Sequence, residues 1–297
     1  MQMEIEQYEV FEAELQGRTD GNPFVEYEVK GIFTNGEESW TVSGFYDGNG
    51  RYVVRFMPEK TGEYSYRIFG SCSEKELRGS FTAAPAKEGN HGMMKAVGEQ
   101  FFYADGTPYY SVGTTCYVFP QQTEELQRET LDTLKNSAFN EIRFCVFPKH
   151  YDYNFRDPVS FPYEGTPVDN SGINKETFGD YTADSEGNCW DFSRFRPEYF
   201  QNLEKNIRAL GELGIEADII LFHPYDRWGF SKMPAWADDL YLKYVMARFS
   251  AFRNVWWSLA NEYDFCRNKT VETWEHYARV IQENDPYGHL RSIHNGW

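Results

Sequence analysis

One carboxylate in this chain stands where catalytic carboxylates are often found, immediately after an apolar strand. The apolar run 256–260 leads directly into Asn261 and Glu262. Aromatic neighbours such as Trp257 would exclude water from a carboxyl group at this position, and a carboxyl group that stays protonated can act as a general acid. The alternative is structural, because Asn or Asp after a strand commonly caps the next helix. The residues next to Glu262 favour the capping role, whereas the residues at the ends of neighbouring strands favour a catalytic role.

Polar and aromatic residues also occupy two other predicted strands and the loop that follows one of them. Arg143 lies inside an apolar segment, and a buried arginine needs an acceptor, usually a carboxylate; a structural ion pair is the alternative. His223 ends the apolar segment 217–222, where its ring would point into the mouth of a barrel or serve only as a satisfied core histidine. The loop with Tyr225, Asp226 and Trp228 offers an aromatic plate and hydrogen-bonding groups, as sugar binding requires, or is a solvated loop with one packed tryptophan.

Alternating strands and helices must position these residues. Thr123 is predicted to be the N-cap of the first helix, with Leu126 its first buried residue, and a long insert covers 148–190. Parallel strands joined by crossover helices place their carboxyl ends at one edge, which is where barrel enzymes carry their sites. Strands are predicted at 109–113, 141–147, 217–222, 255–259 and 290–293, and helices at 123–137, 197–213, 234–252 and 271–284.

The first part of the chain has a different rhythm. Residues 4–84 alternate with period two, and turn sequences such as Asn35-Gly36 recur every ten residues or so. Seven or eight short strands in this length predict an immunoglobulin-like β-sandwich. Small and breaker residues at 83–90 form a linker, so the predicted domains are 1–86 and 87–297.

Composition excludes several classes of function. The 29 Lys and Arg against 46 Asp and Glu leave a net charge of −17, which argues against nucleic-acid and membrane partners. No apolar run of about 18 residues, nucleotide-binding glycine motif or metal-ligand spacing of histidines occurs, so neither a membrane span nor a metal or organic cofactor is expected. Five scattered cysteines favour free buried thiols. Aromatic residues make up 18% of the chain, which suits stacking on sugar rings.

The residues at the strand ends resemble those of clan A glycoside hydrolases. In that clan an arginine on the second strand, a histidine ending the third and an Asn-Glu pair ending the fourth surround the sugar; here they match Arg143, His223, Asn261 and Glu262. More narrowly, the chain resembles the apiosidase-like branch, which has an N-terminal immunoglobulin-like module. The matching segments are 113–117, 222–229 and 256–264 in the second domain and 51–58 and 62–66 in the first.

The resemblance implies a multidomain β + α/β protein, an immunoglobulin-like β-sandwich followed by a (β/α)8 TIM-type barrel. It implies retaining, double-displacement hydrolysis of a plant or microbial polysaccharide or oligosaccharide. Glu262 would be the general acid/base, Asn261 would hold the 2-hydroxyl, and Arg143 and His223 would position the sugar and the nucleophile. The other implied sugar contacts are Tyr117, Tyr225, Asp226, Trp228 and Tyr263.

Only about the first five barrel strands are predicted, whereas the clan A nucleophile ends the seventh strand. We therefore expect the 297 residues to be the front part of a longer protein that carries the nucleophile, or else a homo-oligomer that completes the barrel. Two other classes of function stay open, a non-catalytic carbohydrate-binding protein and an assembly role for the sandwich. Free cysteines and the absence of a leader favour a cytoplasmic location, and a removed signal peptide would make the protein a secreted one.

Overall fold

The computed structural model describes residues 3–179, 186–225 and 227–297. These form two compact units, each assembled from separate stretches of chain. The first unit contains the chain up to Tyr110 with two later stretches, and the second contains the rest. The predicted domain boundary between residues 86 and 87 stays a prediction. Each compact unit consists of segments that lie close together in space, and such a group does not define a boundary along the sequence. The later stretches of the first unit are Tyr241–Asn254 and Val280–Leu290, and the second unit comprises Ser111–Leu240, Val255–Arg279 and Arg291–Trp297.

The first unit is built on two sheets. One has the strand order β1-β8-β7-β3-β4 and the other β2-β6-β5. Aromatic rings from the two sheets stack on each other, Phe11 on Phe81 at 4.5 Å and Phe33 on Phe56 at 4.2 Å between ring centroids, so the sheets pack face to face. The strands are β1 (Met3–Glu6), β2 (Phe11–Gln16), β3 (Lys30–Asn35), β4 (Glu38–Ser43), β5 (Phe45–Tyr46), β6 (Arg51–Phe56), β7 (Gly62–Phe69) and β8 (Leu77–Ala84).

Strand β6 departs from the expected alternation of buried and exposed side chains. All residues from 52 to 56 are buried. On the second face, Arg55 donates a hydrogen bond to the main-chain oxygen of Arg248 at 2.8 Å and lies over the ring of Phe252, so the stretch Tyr241–Asn254 packs on this face. A strand covered on both faces cannot show a polar face, and period-two analysis alone does not reveal the covering residue.

Two small elements of the first unit were not expected from the sequence. A single helical turn, α1 (Pro23–Glu26), starts at the N-cap Asn22. Beyond the predicted linker, a three-stranded antiparallel sheet of order β11-β10-β9 forms. Its strands are too short to give a clear alternation. They are β9 (Met94–Val97), β10 (Gln100–Tyr103) and β11 (Pro108–Tyr109).

The second unit contains the predicted parallel sheet. Its order is β12-β13-β16-β17-β18, every neighbouring pair is parallel, and helices separate these strands along the chain. The remaining pair, β14 and β15, is antiparallel and lies between β13 and α3, with β15 extending five residues beyond the predicted insert 148–190. The strands are β12 (Gly113–Thr115), β13 (Glu141–Cys145), β14 (Tyr163–Thr166), β15 (Cys189–Phe195), β16 (Glu216–Phe222), β17 (Val255–Ala260) and β18 (Arg291–Ser292), and the helices are α2 (Glu124–Lys135), α3 (Pro197–Glu212), α4 (Ala235–Phe249) and α5 (Val271–Asn284).

Helix α2 starts as predicted but buries a different residue. The Thr123 hydroxyl accepts a hydrogen bond from the Leu126 amide, which confirms the N-cap. The prediction that Leu126 is the first buried residue is wrong, because its side chain is 38% exposed. Gln127, one residue and about 100° further around the helix, is buried instead and pairs with Asn206 of α3 at 2.7 Å. A polar pair, rather than an apolar contact, joins the helices there.

Candidate functional site

The carboxyl ends of three neighbouring parallel strands bring the predicted residues to one edge of the sheet. Cys145 of β13, Ile220 of β16 and Ser258 of β17 lie in register across the three strands. The segments that leave these strands begin with residues 146, 223 and 261. Residues distant in sequence therefore meet at one edge, as a parallel sheet requires.

Glu262 has an unusual backbone conformation at this edge. Its φ angle is +53°, in the left-handed region that residues other than glycine rarely adopt. Such a conformation costs about 1–2 kcal/mol and persists only where neighbours hold it. Here the main-chain N–H of Asn261 donates to the main-chain oxygen of Phe222 at 3.0 Å, and the main-chain N–H of Tyr263 donates to that of His294 at 2.9 Å.

The Glu262 side chain is half-buried and does not act as a helix cap. Glu262 occupies the N-cap position of a short 3-10 turn over Tyr263–Phe265, yet its carboxylate makes no capping bond. The alternative to a catalytic role was that this strand end caps the next helix. The carboxylate of Glu262 does not play that structural role. Asn261 is buried, and its side-chain amide makes no hydrogen bond to another described residue. Among the described residues, neither polar side chain at this strand end has a hydrogen-bond partner for its side-chain atoms.

Arg143 is half-buried and has the predicted carboxylate partner on the neighbouring strand. Its guanidinium lies 3.3 Å from Asp218 Oδ2 and donates to Ser258 Oγ at 3.0 Å. Burial raises the pKa of Asp218 to about 6, and the positive charge of Arg143 only partly opposes this. The other carboxylate oxygen, Oδ1, is buried without a hydrogen bond among the described residues. The ion pair joins β13 to β16, and the bond to Ser258 adds β17.

His223 is buried, and both of its ring nitrogens contact main-chain groups. The Tyr225 amide donates to Nδ1 at 3.2 Å, and Nε2 lies 3.2 Å from the main-chain oxygen of Phe147. Nδ1 accepts, so the proton is placed on Nε2, which then donates to Phe147. The ring thereby ties the end of β16 to the end of β13. This is the arrangement of a satisfied core histidine, and a sugar contact by His223 stays a prediction.

The prediction that Trp228 offers its ring to a sugar is wrong. Its side chain is 0% exposed. The centroid of the Trp228 ring lies 4.8 Å from that of His150 and 5.9 Å from that of Phe161. The main-chain oxygen of Trp228 accepts a hydrogen bond from Trp190 Nε1 at 2.8 Å. The insert between β13 and α3 supplies all three neighbours and covers the ring. The sequence of a loop shows that an aromatic residue is present, but it does not show which other segment packs over the ring.

The remaining predicted contacts have mixed positions. Tyr117, Tyr225 and Tyr263 are half-buried. Tyr263 also makes an edge contact with Trp274 at 6.1 Å. Asp226 lies outside the described residues.

Lys149, which follows β13, was not predicted from the sequence. Its side chain is buried, with 7% of the residue exposed, and its Nζ lies 3.9 Å from the ring centroid of Tyr117 and 4.3 Å from that of Tyr225. Burial lowers the pKa of Lys149, while the charge of Glu262 opposes this. No sequence signal marks this residue, because a lysine in a loop is normally solvated. Asp218 was also missed, although a charged residue inside an apolar strand is the same signal that identified Arg143.

The described ranges contain neither a metal-binding cluster nor a membrane-spanning helix. No group of three or more His, Cys, Asp or Glu residues there is arranged to hold a metal ion. No helix in the same ranges has the length and apolar character needed to cross a membrane.

Comparison with known proteins gives a match over most of the chain. Residues 96–296 match the family described as "Apiosidase-like, catalytic domain", and residues 4–70 match a domain of unknown function, DUF5060. A solved structure described as a putative glycoside hydrolase from Bacteroides vulgatus ATCC 8482 is 43% identical, with a TM-score of 0.89. The match covers 99% of this chain and 56% of that one, so this chain spans just over half the length of that protein.

More distant matches are weaker. A glycoside hydrolase family 5 protein from Bacteroides vulgatus is 15% identical, with a TM-score of 0.48 over 70% of this chain and 40% of that one. An endo-1,4-beta-mannanase from Rhizomucor miehei is 15% identical, with a TM-score of 0.44 over 68% of this chain and 60% of that one. No curated protein matches the chain significantly.

Proposed function

This chain belongs to the apiosidase-like catalytic domain family, and from that premise we propose that it contributes the acid/base half of a retaining glycoside hydrolase. The substrate would be a plant or microbial polysaccharide or oligosaccharide. Glu262 would be the general acid/base, and the nucleophile would lie on a residue outside these 297. The five parallel strands would be the first five of a (β/α)8 barrel, and the two packed sheets an immunoglobulin-like module. The match of residues 96–296 to a catalytic domain supports this assignment.

The geometry of Glu262 is the observation that carries the proposal. A carboxylate is held at a strand end by a strained backbone, and none of the described residues donates a side-chain hydrogen bond to it. A structural carboxylate would normally have such partners, since they offset the free-energy cost of its partial burial. A carboxylate kept at a strand end without them is suited to exchange a proton with a bound molecule.

The proposed reaction has two displacements at the anomeric carbon. In the first, Glu262 gives its proton to the glycosidic oxygen as the C–O bond breaks, while the nucleophile carboxylate forms a bond to the anomeric carbon. In the second, the ionised Glu262 takes a proton from water, and the water oxygen displaces the nucleophile. The anomeric configuration is therefore retained after two inversions. The Asn261 amide would bind the 2-hydroxyl, a contact that strengthens in the transition state.

Arg143, His223 and the tyrosines would act on the sugar or on its surroundings. Arg143 is already bonded to Asp218 and Ser258, and His223 to main-chain groups, so both would act mainly by fixing the strand ends. Tyr117, Tyr225 and Tyr263 would supply the apolar faces on which a sugar ring packs.

The test is hydrolysis of a panel of polysaccharides and aryl glycosides by the complete protein from its native gene. General acid/base catalysis contributes about 10²–10⁴-fold, so Glu262→Gln should lower kcat by at least about a hundredfold on unactivated glycosides. Glu272→Gln, an exposed carboxylate on α5, is the matched control. Glu262→Gln activity within threefold of the native enzyme would refute the assignment. Saturable glycan binding without turnover in the native protein would instead favour a non-catalytic carbohydrate-binding protein.

A further inference from the structure

The surroundings of Lys149 are unusual for a buried cation. Its ammonium lies over two tyrosine rings, Tyr117 from the segment after β12 and Tyr225 from the segment after β16. Both distances are well within the roughly 6 Å over which a ring face attracts a cation. The two rings therefore hold the ammonium at the same sheet edge as Glu262.

The N–H donors of the Lys149 ammonium have no hydrogen-bond acceptor among the described residues. A lysine ammonium carries three N–H donors. No described oxygen lies within hydrogen-bond or ion-pair distance of Lys149 Nζ, and the residue is more than nine-tenths buried. The two ring faces attract the charge but accept no strong hydrogen bond. Leaving a charged donor unpaired is costly, so the arrangement suits a site where an incoming molecule supplies the acceptors.

The electrostatic balance agrees with this geometry. Burial is the largest influence on Lys149 and lowers its pKa, while the negative charge of Glu262 opposes it. The influence of Glu262 is that of its charge alone, because no ion pair joins it to the ammonium. By contrast, the buried Lys269 lies 2.5 Å from Asp238, in a fully formed ion pair. Among these two buried lysines, only Lys149 lacks a carboxylate partner within the described residues.

We propose that Lys149 is a sugar-binding residue, held between Tyr117 and Tyr225 so that its ammonium donates hydrogen bonds to oxygen atoms of the glycan beside Glu262. The ligand chemistry is a cluster of oxygen acceptors, supplied by sugar hydroxyls or by the carboxylate of a uronic acid. This inference rests on the proposed function and deepens it, because it adds the cation of the binding site.

The experiment measures glycan affinity separately from hydrolysis. The complete protein is titrated calorimetrically, in the slow Glu262→Gln background, with neutral and uronate-containing oligosaccharides chosen from those that the protein binds. Lys149→Met keeps the length and apolar stem of the side chain but removes the charge and the donors. Lys205→Met is the matched control, because Lys205 is exposed and forms an ion pair with the exposed Glu124.

Lys149→Met is expected to weaken glycan binding about tenfold or more, the effect of losing a hydrogen bond to a charged donor. If affinity falls for neutral and acidic glycans alike, Lys149 binds sugar hydroxyls. If it falls only for acidic glycans, Lys149 binds the carboxylate of a uronic acid. The unfolding temperature should change little, and Lys149→Arg, which keeps a cation, should recover part of the affinity. These last two results separate ligand binding from a structural role.

Two outcomes would overturn the inference in distinguishable ways. If Lys149→Met binds every glycan within twofold of its Lys149 parent, Lys149 is not a sugar contact, while hydrolysis by the native protein would still support the proposed function. If the native protein neither binds nor hydrolyses any glycan, the proposed function fails, and the inference fails with it.

Discussion

The buried pair of Lys269 and Asp238 allows a sharp test of how the segment carrying Glu262 is held in place. Lys269 ends the stretch 261–269 that runs from β17 towards α5, and its Nζ lies 2.5 Å from Asp238 Oδ2. The two side chains are 3% and 0% exposed. Tyr277 of α5 donates to the same oxygen of Asp238 and lies 3.2 Å from Lys269.

Removing the cation should leave a buried carboxylate without its counter-charge. Breaking a buried ion pair from one side typically costs about 3–5 kcal/mol. Lys269→Met should therefore lower the free energy of unfolding by that amount, which corresponds to about 2–4 °C in Tm per kcal/mol for a unit of this size. The measurement is chemical unfolding followed by tryptophan fluorescence, with thermal unfolding as a second probe.

The loss should depend on pH in a defined direction. Burial raises the pKa of Asp238, and Lys269 is the main influence that opposes this. Without Lys269 that pKa rises further above its unfolded value. A carboxyl group of this kind destabilises the folded state once the pH exceeds its unfolded pKa, so the Lys269→Met loss should be larger at about pH 8 than at about pH 5.

Two controls isolate the buried charge as the cause. Asp238→Asn in the Lys269→Met background removes the unpaired carboxylate and should restore much of the lost stability. Lys205→Met, which breaks an exposed pair, should cost less than about 1 kcal/mol. A Lys269→Met loss below about 1 kcal/mol, or one that is equal at both pH values, would refute the reasoning.

Three further predictions concern residues at or beneath the site. Because the pKa of Asp218 is about 6 in the folded chain, the free energy of unfolding should fall as the pH rises from about 4 to 6, and Asp218→Asn should lack that fall, as pH-dependent unfolding would show. Trp228→Ala should cost about 3–5 kcal/mol in denaturant unfolding, because a wholly buried ring leaves a cavity; a loss below about 1 kcal/mol would contradict the packing. Since asparagine tolerates the left-handed region, Glu262→Asn should unfold at a higher temperature than Glu262→Gln by calorimetry, and an equal or lower value would argue against strain at that residue.

The regular elements of the second unit were predictable because their signals are local. The spacing of Phe200, Leu203, Ile207 and Leu210 predicted the buried face of α3, and all four are buried. Gly214, with φ of +70°, follows the end of that helix as expected. The parallel order of the strands followed from the same alternation of strands and helices.

The details that failed depend on contacts between distant segments. Leu126 and Gln127 are adjacent on one helix, and only the position of Asn206 on α3 determines which of them is buried. Trp228 looked available because the insert that covers it has no regular pattern to place it. Lys149 gave no signal at all, because its burial comes from two tyrosines that lie 32 residues before it and 76 after it. Such contacts are fixed by tertiary packing, which local periodicity does not record.

The most direct test of the central claim is chemical rescue of Glu262→Ala in the complete protein. If Glu262 is the acid/base, hydrolysis of an aryl glycoside with a good leaving group should survive far better than that of the natural glycan. Added azide should then accelerate turnover, because it attacks the glycosyl-enzyme intermediate without needing a base. The product should be a glycosyl azide with retained configuration. Equal loss on both substrates, with no glycosyl azide formed, would show that Glu262 is not the acid/base.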